Sequence, residues 1–490
     1  MIEQIQLEPS SGVPLYRQLF ARLKEMILSG QLRPGERLPA SRELAGRLGL
    51  NRTTITAAYE LLQAEGLIRG HVGRGSYVAT GPAMPGIPWD KILPSWESAP
   101  APPQPTSAGL ISFATSRPAE QLFPLEDVRR TAEEVLGSPH ARTILQLGSP
   151  AGYGPLREYL ADEARRRGVL REKDDVLVTS GCQQALDLLQ RVLVRPGDAV
   201  ILEDPVYPGL KTLFQRAGAR VMGVSVGADG VDLEELALLL ERHRPRLVVV
   251  TPDFQNPTGA TLPAAARQSL LRMVRAAGAV LVENDIYREL RYEGAPQPSL
   301  KQLDDSGDTV LVGSFSKIAF PGLRVGWVIA PRPLLTRLTE AKQACDLHTD
   351  QLSQALLLRF AESGRLEAHR QRVRQAGAER LRTLLASLEK HFPKGTVYSR
   401  PTGGMNVWVR LPGGLDAAGL LTRAQRHGVS YLPGRYFEVT RQHTGAFRLS
   451  FAGLAPEEIR RGVEILGRLI GEELRQARGH ERYEPAPALV

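Results

Sequence analysis

Cysteine is almost missing from this chain of 490 residues, with Cys182 and Cys345 its only two. That excludes a disulfide framework and a thiolate metal cluster, so no metal is expected, and a reducing, cytoplasmic setting fits. Long apolar runs are missing as well. The apolar runs, such as LVVV and AVLV, fall far short of the roughly 20 residues that cross a bilayer. The opening MIEQIQLEPS lacks the basic and apolar regions of a secretory signal. A membrane or exported protein is therefore not expected. Lysine is scarce: only nine of the 62 basic residues are lysine, so any chemistry that needs a lysine amine has few candidates. The 62 basic and 53 acidic residues leave a net charge of +9, which permits a polyanionic partner without establishing one. What remains is an ordinary globular composition, 42% hydrophobic and 23% charged, in a chain long enough for two or three domains.

Residues 1–80 read as a small helical unit closed by a hairpin. Leu15, Leu19, Leu23 and Ile27 recur every four residues on one helix face. The segment GQLRPGERLP interrupts that helix with Gly30, Pro34, Gly35 and Pro39. Ser41 reads as the N-cap of a short helix ending at Gly49. Asn51 reads as the cap of the next, whose buried stripe is Ile55, Ala58, Tyr59 and Leu62. GLIRGHVGRGSYV reads as two short strands about a Gly/Arg turn. Residues 81–108 change character: eight prolines fall between Pro82 and Pro105, which makes an extended, semi-stiff linker. From residue 109 to 480, β-rich runs alternate with helical stretches. The expected strands are DDVLVTS, AVILEDP, ARVMGVSV, RLVVVTP, AVLVEND, TVLVGSF and VGWVIAP. Several are apolar on both faces, as strands inside a helix-covered sheet must be. An α/β domain with a mostly parallel central sheet is expected, with a smaller α+β lobe from GMNVWVRL and GAFRLSFA. The tail, residues 481–490, reads as disordered.

A helix, tight turn and second helix is the arrangement that lays a recognition helix in the major groove. The helix opening at Asn51 carries Arg52, Thr53, Thr54 and Thr56 at or near its first turn, where they reach base edges or phosphates. Arg42, at the start of the preceding helix, is a candidate phosphate contact. Arg69, His71 and Arg74 lie in a glycine-rich hairpin that can approach a phosphate backbone or the minor groove. The first 80 residues hold ten basic and seven acidic residues, net +3, a balance that suits solvated arginines as well as DNA contacts. The linear order says more. From PLYRQLF to GRGSYV the segment resembles the GntR-type winged helix-turn-helix over its whole length, which implies binding to double-stranded DNA.

In the large domain, Lys317 follows a strand in TVLVGSFSKIAFPGLRVGW. A lysine at a strand end beside an anion site is placed to form a Schiff base with an aldehyde. Ser314, Ser316 and Arg324 supply hydroxyls and a fixed fork for a phosphate. TSGCQQALDLL is a strand, a glycine turn and a helix, so Ser180, Gly181, Cys182 and Gln183 would put backbone N–H groups at a helix N-terminus. Asn256 in VTPDFQNPTG can donate to a phenolate oxygen. Asn284, Asp285 and Tyr287 end a third strand, and Tyr207 in EDPVYPG can stack on a flat ring. Several strands ending in polar loops fit ligand binding at the carboxyl ends of a parallel sheet.

This constellation resembles the fold-type I aminotransferases over about 370 residues. With the N-terminal unit, the whole chain resembles a MocR/GabR-type regulator, a GntR-like reader fused to an aminotransferase-like domain. The resemblance implies pyridoxal 5'-phosphate as cofactor and Lys317 as its aldimine lysine. It implies Asn256 and Tyr287 as partners of the cofactor's 3'-oxygen and Tyr207 as the stacking ring. Ser180 to Gln183, Ser314, Ser316 and Arg324 would hold the phosphate, and Arg448, in GAFRLSFA, would clamp an amino-acid carboxylate. Two positions depart from the family pattern. The acid expected beside the pyridine nitrogen stands 28 residues after the NPTG asparagine and three before the tyrosine. Both counts lead to Asn284. Asp285 is adjacent, but on a strand it should point the opposite way. An amide holds the ring nitrogen protonated poorly, so weak or no transaminase activity is expected. Leu147 stands where the family usually has a tyrosine that reaches the partner subunit's cofactor phosphate, and Tyr153 is the candidate substitute. Arg157 reads as structural.

The expectation is thus a transcription regulator in which an amino acid, or pyridoxal phosphate itself, alters the aldimine or the occupancy of the site. That change shifts the balance between two arrangements of reader and large domain. The family precedent implies a two-fold homodimer, each reader packed on the other subunit's large domain, with two DNA half-sites. The alternative is an active aminotransferase carrying an accessory DNA-binding domain.

Overall fold

A computed structural model describes Ile2 and residues 5–9, 11–71, 75–79, 89–92 and 109–481. The chain divides into two compact units, Met1–Glu97 and Ser98–Val490, and the division falls inside the proline-rich stretch. Apart from the short helix Trp89–Ile92, the expected linker lies outside the described residues, as do Arg74 and residues 482–490 of the expected tail.

The first unit is three helices and a hairpin: α1 (Leu15–Leu28), α2 (Ser41–Leu48), α3 (Arg52–Ala64), β1 (Ile68–His71) and β2 (Gly75–Val78). Leu19 and Leu23 of α1, Leu44 of α2 and Ile55, Ala58 and Leu62 of α3 form one core with Ile68 and Val78 of the hairpin. Asn51 caps α3, its side-chain oxygen accepting from the Thr53 N–H at 3.2 Å. The expectation for Ser41 is corrected. Ala40 is the N-cap of α2, with no side-chain cap bond, and Ser41 is already the first helical residue. Its hydroxyl instead accepts from Arg52 Nε at 3.4 Å, across to the start of α3.

In the second unit, β3 (Ile111–Ser112) precedes the eight strands of the main sheet. These are β4 (Asp174–Thr179), β5 (Ala199–Asp204), β6 (Arg220–Gly227), β7 (Gly230–Val231), β8 (Leu247–Val250), β9 (Val280–Asn284), β10 (Val310–Ser314) and β11 (Gly326–Pro331). Their order is β4-β11-β10-β9-β8-β5-β6-β7. The central pairs β10/β9, β9/β8, β8/β5 and β5/β6 are parallel, and β11 runs antiparallel to both its neighbours. Each expected strand forms one of these. Alternate residues face opposite layers. Val200, Leu202, Val249, Val282 and Val312 pack on Leu186 and Leu189 of the helix Cys182–Leu193. Ile201, Val248, Val250 and Leu281 pack on Leu236, Leu240, Leu270 and Val274 of the helices on the other side. Both faces are covered, which is why these strands read as unbroken apolar runs.

The smaller lobe carries β12 (Val397–Tyr398), β13 (Asn406–Arg410), β14 (Val429–Ser430), β15 (Leu432–Pro433) and β16 (Ala446–Ser450). β12, β13, β16 and β15 form an antiparallel sheet, and β14 pairs with β3, so the start of the domain is tied into its end. The helices Arg365–His391 and Pro456–Glu481 cover this lobe.

Leu189 is fully buried between its helix and the main sheet. Leu189→Ala is expected to destabilise the protein by about 2–5 kcal/mol, read as a lower urea midpoint for the full chain. Leu238→Ala, at an exposed position, is expected to shift stability by no more than about 0.5 kcal/mol.

Candidate functional site

Parallel pairing brings the C-terminal ends of β5, β8, β9 and β10 to one edge, and the loops leaving them carry most of the expected site residues. β11 pairs Ser314 with Gly326 and Gly326 with Thr179. The turn Ser180–Gln183 therefore lies beside the turn Ser314–Lys317.

The first part of the site is an anion seat. The helix Cys182–Leu193 starts at Gly181, which takes a left-handed φ of 81°, and no side chain caps it. Its first backbone N–H groups and its dipole are left for an anion. Close approach requires glycine at two points. A Cβ on Gly181 would lie 2.9 Å from Arg324 Cζ, and one on Gly326 would lie 2.8 Å from the Gly181 carbonyl carbon and 2.9 Å from Cys182 N. Arg324, itself left-handed with φ 53°, donates to the Ser180 carbonyl at 3.3 Å and stays exposed. The Ser314 hydroxyl accepts from the Ser316 N–H at 3.1 Å and donates to the Ser316 hydroxyl at 3.0 Å, which shapes the turn into Lys317. Ser180 is held from behind: its N–H donates to Gln184 Oε1 at 2.7 Å and its hydroxyl lies 3.3 Å from that of Thr349.

The second part is a cationic pocket. Lys317 Nζ donates to the Ser116 carbonyl at 2.8 Å and lies 5.8 Å from the Tyr287 ring centre. Burial, opposed by Cys182 and reinforced by Arg448 and Arg324, pushes its amine down to about 8. Arg448 is buried. Nη1 donates to Asn256 Oδ1 at 2.9 Å, Nη2 donates to the Ala114 carbonyl, and Nε has no partner. Among the described residues no carboxylate pairs with it, and burial pushes it down to about 10. Asn256 donates its Nδ2 to the Tyr287 hydroxyl at 3.3 Å, so Arg448, Asn256 and Tyr287 form one chain of hydrogen bonds. Burial pushes Tyr287 up to about 12. Tyr207 is exposed over Gly209, whose added Cβ would lie 2.5 Å from the ring. The cations Arg448 and Arg324 oppose the rise that burial gives its hydroxyl.

Asn284 ends β9, and its Nδ2 donates to Thr251 Oγ1 at 3.2 Å while its Oδ1 is buried without a partner. Asp285 is a correction. As a candidate cofactor contact it would need to face this pocket, but the pleat turns it to the other side of the sheet. There its carboxylate lies 3.2 Å from Arg288. Burial raises the Asp285 carboxyl, with Arg288 opposing. Leu147 is exposed. The Tyr153 N–H donates to Gln354 at 2.8 Å, and its ring packs among Val135, Ile144 and Ala355. Arg157 grips Asp175 at 3.0 Å and the Val176 carbonyl at 2.8 Å, which is a structural role. The sequence reading missed Glu203, Thr251, Gln255 and the Ser116 carbonyl. An acid at the buried end of AVILEDP was the available signal for Glu203. A backbone carbonyl leaves none.

The groups fit pyridoxal phosphate as a set: an anion seat, a lysine whose amine is pushed down toward neutrality, a donor pair for a ring oxygen, a flat tyrosine and an arginine for a carboxylate. In the other unit, Arg42, Arg52, Thr53, Thr56 and Arg69 are exposed and Thr54 is half-buried. None of these arginines pairs with a carboxylate among the described residues, whereas Lys24 and Glu65 pair at 2.7 Å. The Thr56 hydroxyl donates to the Arg52 carbonyl at 3.0 Å. His71 ends β1, and Arg74 lies outside the described residues. Arg37, which the sequence reading passed over, is exposed at the base of the hairpin, bridging to Tyr77 with its guanidinium against Gly75.

Residues 109–466 match the aminotransferase class I and II family and residues 15–78 the bacterial regulatory proteins of the gntR family. The chain is similar to 2-aminoadipate transaminase of Thermus thermophilus, 41% identical over 368 residues, 74% of this chain and 90% of that protein. It is similar to the probable rhizopine catabolism regulatory protein MocR of Rhizobium meliloti, 32% identical over 477 residues, 94% of each. A solved structure of LysN, the alpha-aminoadipate aminotransferase of Thermus thermophilus, complexed with N-(5'-phosphopyridoxyl)-L-leucine, superposes with a TM-score of 0.70 at 40% identity. It covers 75% of this chain and 94% of that one.

An amine at about 8 holds, at pH 7.5, roughly two hundred times as much free base as an ordinary lysine. Lys317 is therefore expected to be trapped first among the lysines by a small aldehyde and borohydride. Its labelling should rise with pH and level off above about 8, as checked by peptide mass mapping.

Proposed function

This chain belongs to the MocR-type regulators, in which a gntR-family reader is joined to a class I and II aminotransferase domain, and on that premise we propose that it is a transcription regulator whose large domain uses pyridoxal phosphate at Lys317 to sense an amino acid or the cofactor itself. The observation that carries the reading is the buried Arg448 beside Lys317, which meets no carboxylate among the described residues, in a chain whose other unit presents Arg42 and Arg52, without acidic partners among the described residues, on a helix-turn-helix.

When bound, pyridoxal phosphate supplies an aldehyde for the lysine and a ring that accepts electron density. The residues of this chain do the rest. The backbone at Gly181–Gln183 and the Arg324 guanidinium bind the phosphate. Asn256 and Tyr287 hold the ring oxygen, and Tyr207 covers the ring. Lys317, about half free base near pH 8, provides the nucleophile. Arg448 binds an amino-acid carboxylate, and the match of charge in a buried site favours that ligand over a neutral one. With an amide at position 284 and Asp285 turned away, the site suits recognition of an amino acid more than rapid turnover. The exposed Leu147 and Tyr207 support a second copy of the chain completing the site, in a homodimer with exchanged readers. Two readers would then contact two half-sites of an operator in the cytoplasm.

The test is DNA binding on the chain's own upstream region, measured with and without pyridoxal phosphate and a panel of amino acids. The wild type is expected to shift its affinity on addition of one of them. Lys317→Ala should bind DNA without that response. Arg52→Ala should weaken binding about tenfold and lower the salt dependence. A wild type that binds DNA indifferently to every addition overturns the sensing role.

A further inference from the structure

One polar residue on the face of the smaller lobe that carries Arg448 is buried with nothing to bond. Strands β13 and β16 pair Asn406 with Ser450, Val407 with Leu449, Trp408 with Arg448 and Val409 with Phe447. Directly opposed residues share a face, and faces alternate along a strand. Val407, Val409, Phe447 and Leu449 fill the lobe's own core. Asn406, Trp408, Arg448 and Ser450 therefore lie on the other face, the one from which Arg448 reaches Asn256, in the loop after β8, at 2.9 Å. Trp408 meets the Phe437 ring edge-on, and the Ser450 hydroxyl donates to the Met405 carbonyl at 3.2 Å. Asn406 is 1% exposed, and neither its Nδ2 nor its Oδ1 has a partner among the described residues. Two contacts place it beside the site. A Cβ on Gly259, in the same loop as Asn256, would lie 2.9 Å from the Asn406 carbonyl oxygen. Met405, its neighbour in the chain, has its sulfur 3.8 Å from the hydroxyl of Ser116, whose carbonyl receives Lys317.

An amide buried without partners is costly, and this one has two donors and an acceptor to satisfy. Asn406 and Arg448 are diagonal neighbours across the strand pair, roughly 7 Å apart at their Cα atoms, a span that one amino acid can bridge from its carboxylate to its side chain. We propose that Asn406 is a specificity-determining residue that reads the side chain of the amino acid whose carboxylate Arg448 takes, and that the ligand it selects carries a side-chain carboxamide. The proposal rests on the sensing role proposed above. A carboxamide returns both of the bonds that Asn406 lacks, its oxygen accepting from Nδ2 and its N–H donating to Oδ1. A carboxylate accepts from Nδ2 but sets a second acceptor against Oδ1, and an aliphatic side chain satisfies neither end.

The experiment measures, by calorimetry, the dissociation constants of L-asparagine, L-glutamine and L-leucine from the full chain loaded with pyridoxal phosphate. L-Asparagine and L-leucine are close in shape, so their ratio isolates the amide. The wild type is expected to bind one of the two carboxamides about tenfold more tightly than L-leucine, or better. Asn406→Leu is expected to bring that ratio to one or below while the chain still holds the cofactor. Asn406→Ser, with a hydroxyl on a smaller side chain, is expected to fall between the two, and it decides the case if Asn406→Leu does not hold the cofactor. A wild type that binds neither carboxamide more tightly than L-leucine, or a ratio that Asn406→Leu leaves as it was, overturns this inference alone. Failure of the wild type to hold the cofactor overturns the cofactor reading and this inference with it.

Discussion

The large domain is organised around positive charge held in a buried place without a protein counter-ion. Arg448 and Lys317 share a pocket in which neither meets a carboxylate among the described residues, and burial pushes both toward their neutral forms. Charges without partners are costly to bury. The cost is partly met by the Ser116 and Ala114 carbonyls and by Asn256. What remains is available to a ligand that brings its own negative charge. The helix N-terminus and Arg448 are two separate places at which an anion would meet positive charge.

The rest of the fold serves that arrangement. A parallel sheet covered on both faces delivers the ends of several strands to one edge, and each loop then needs only one or two polar residues to complete a site. The cost in conformational freedom is concentrated where backbones must approach closely. Gly181 and Gly326 leave room for Arg324 and for each other, and Arg324 itself is held in a left-handed conformation. On the opposite face, the acids Glu283 and Asp285 meet Arg288. Glu283 and Asp285, two acids that could neutralise the pocket, are thus kept with Arg288 on the far side of the sheet.

The reader follows a simpler logic. Its hydrophobic stripe alone assembles the three helices and the hairpin, and the arginines that do not pair with acids are left on the outer surface. Both units hold some arginines against acids, as in Arg157 with Asp175 and Arg267 with Asp253 in the large domain and Arg22 with Glu25 in the reader. In the reader Arg42, Arg52 and Arg69 are not paired among the described residues, and a polyanion is the partner that such a surface suits.

Hydrophobic periodicity and turn chemistry act over a few residues, so the sequence by itself determined the helices of the reader, the Asn51 cap, the seven main strands and the mostly parallel sheet. The spacing from Asn256 to Tyr287 likewise determined that position 284 holds an amide, since counting needs no coordinates. Ser41 was misread because a serine before a helix and a serine in its first turn look alike in a local window. Only the tertiary structure decided that Arg448 lacks an acidic partner among the described residues, that the Ser116 carbonyl receives Lys317, and that Asn284 donates to Thr251. Residues 251 and 284 stand far apart in the chain and meet only because parallel strands bring their ends side by side. The pleat then decides which of two adjacent residues, 284 or 285, faces the pocket.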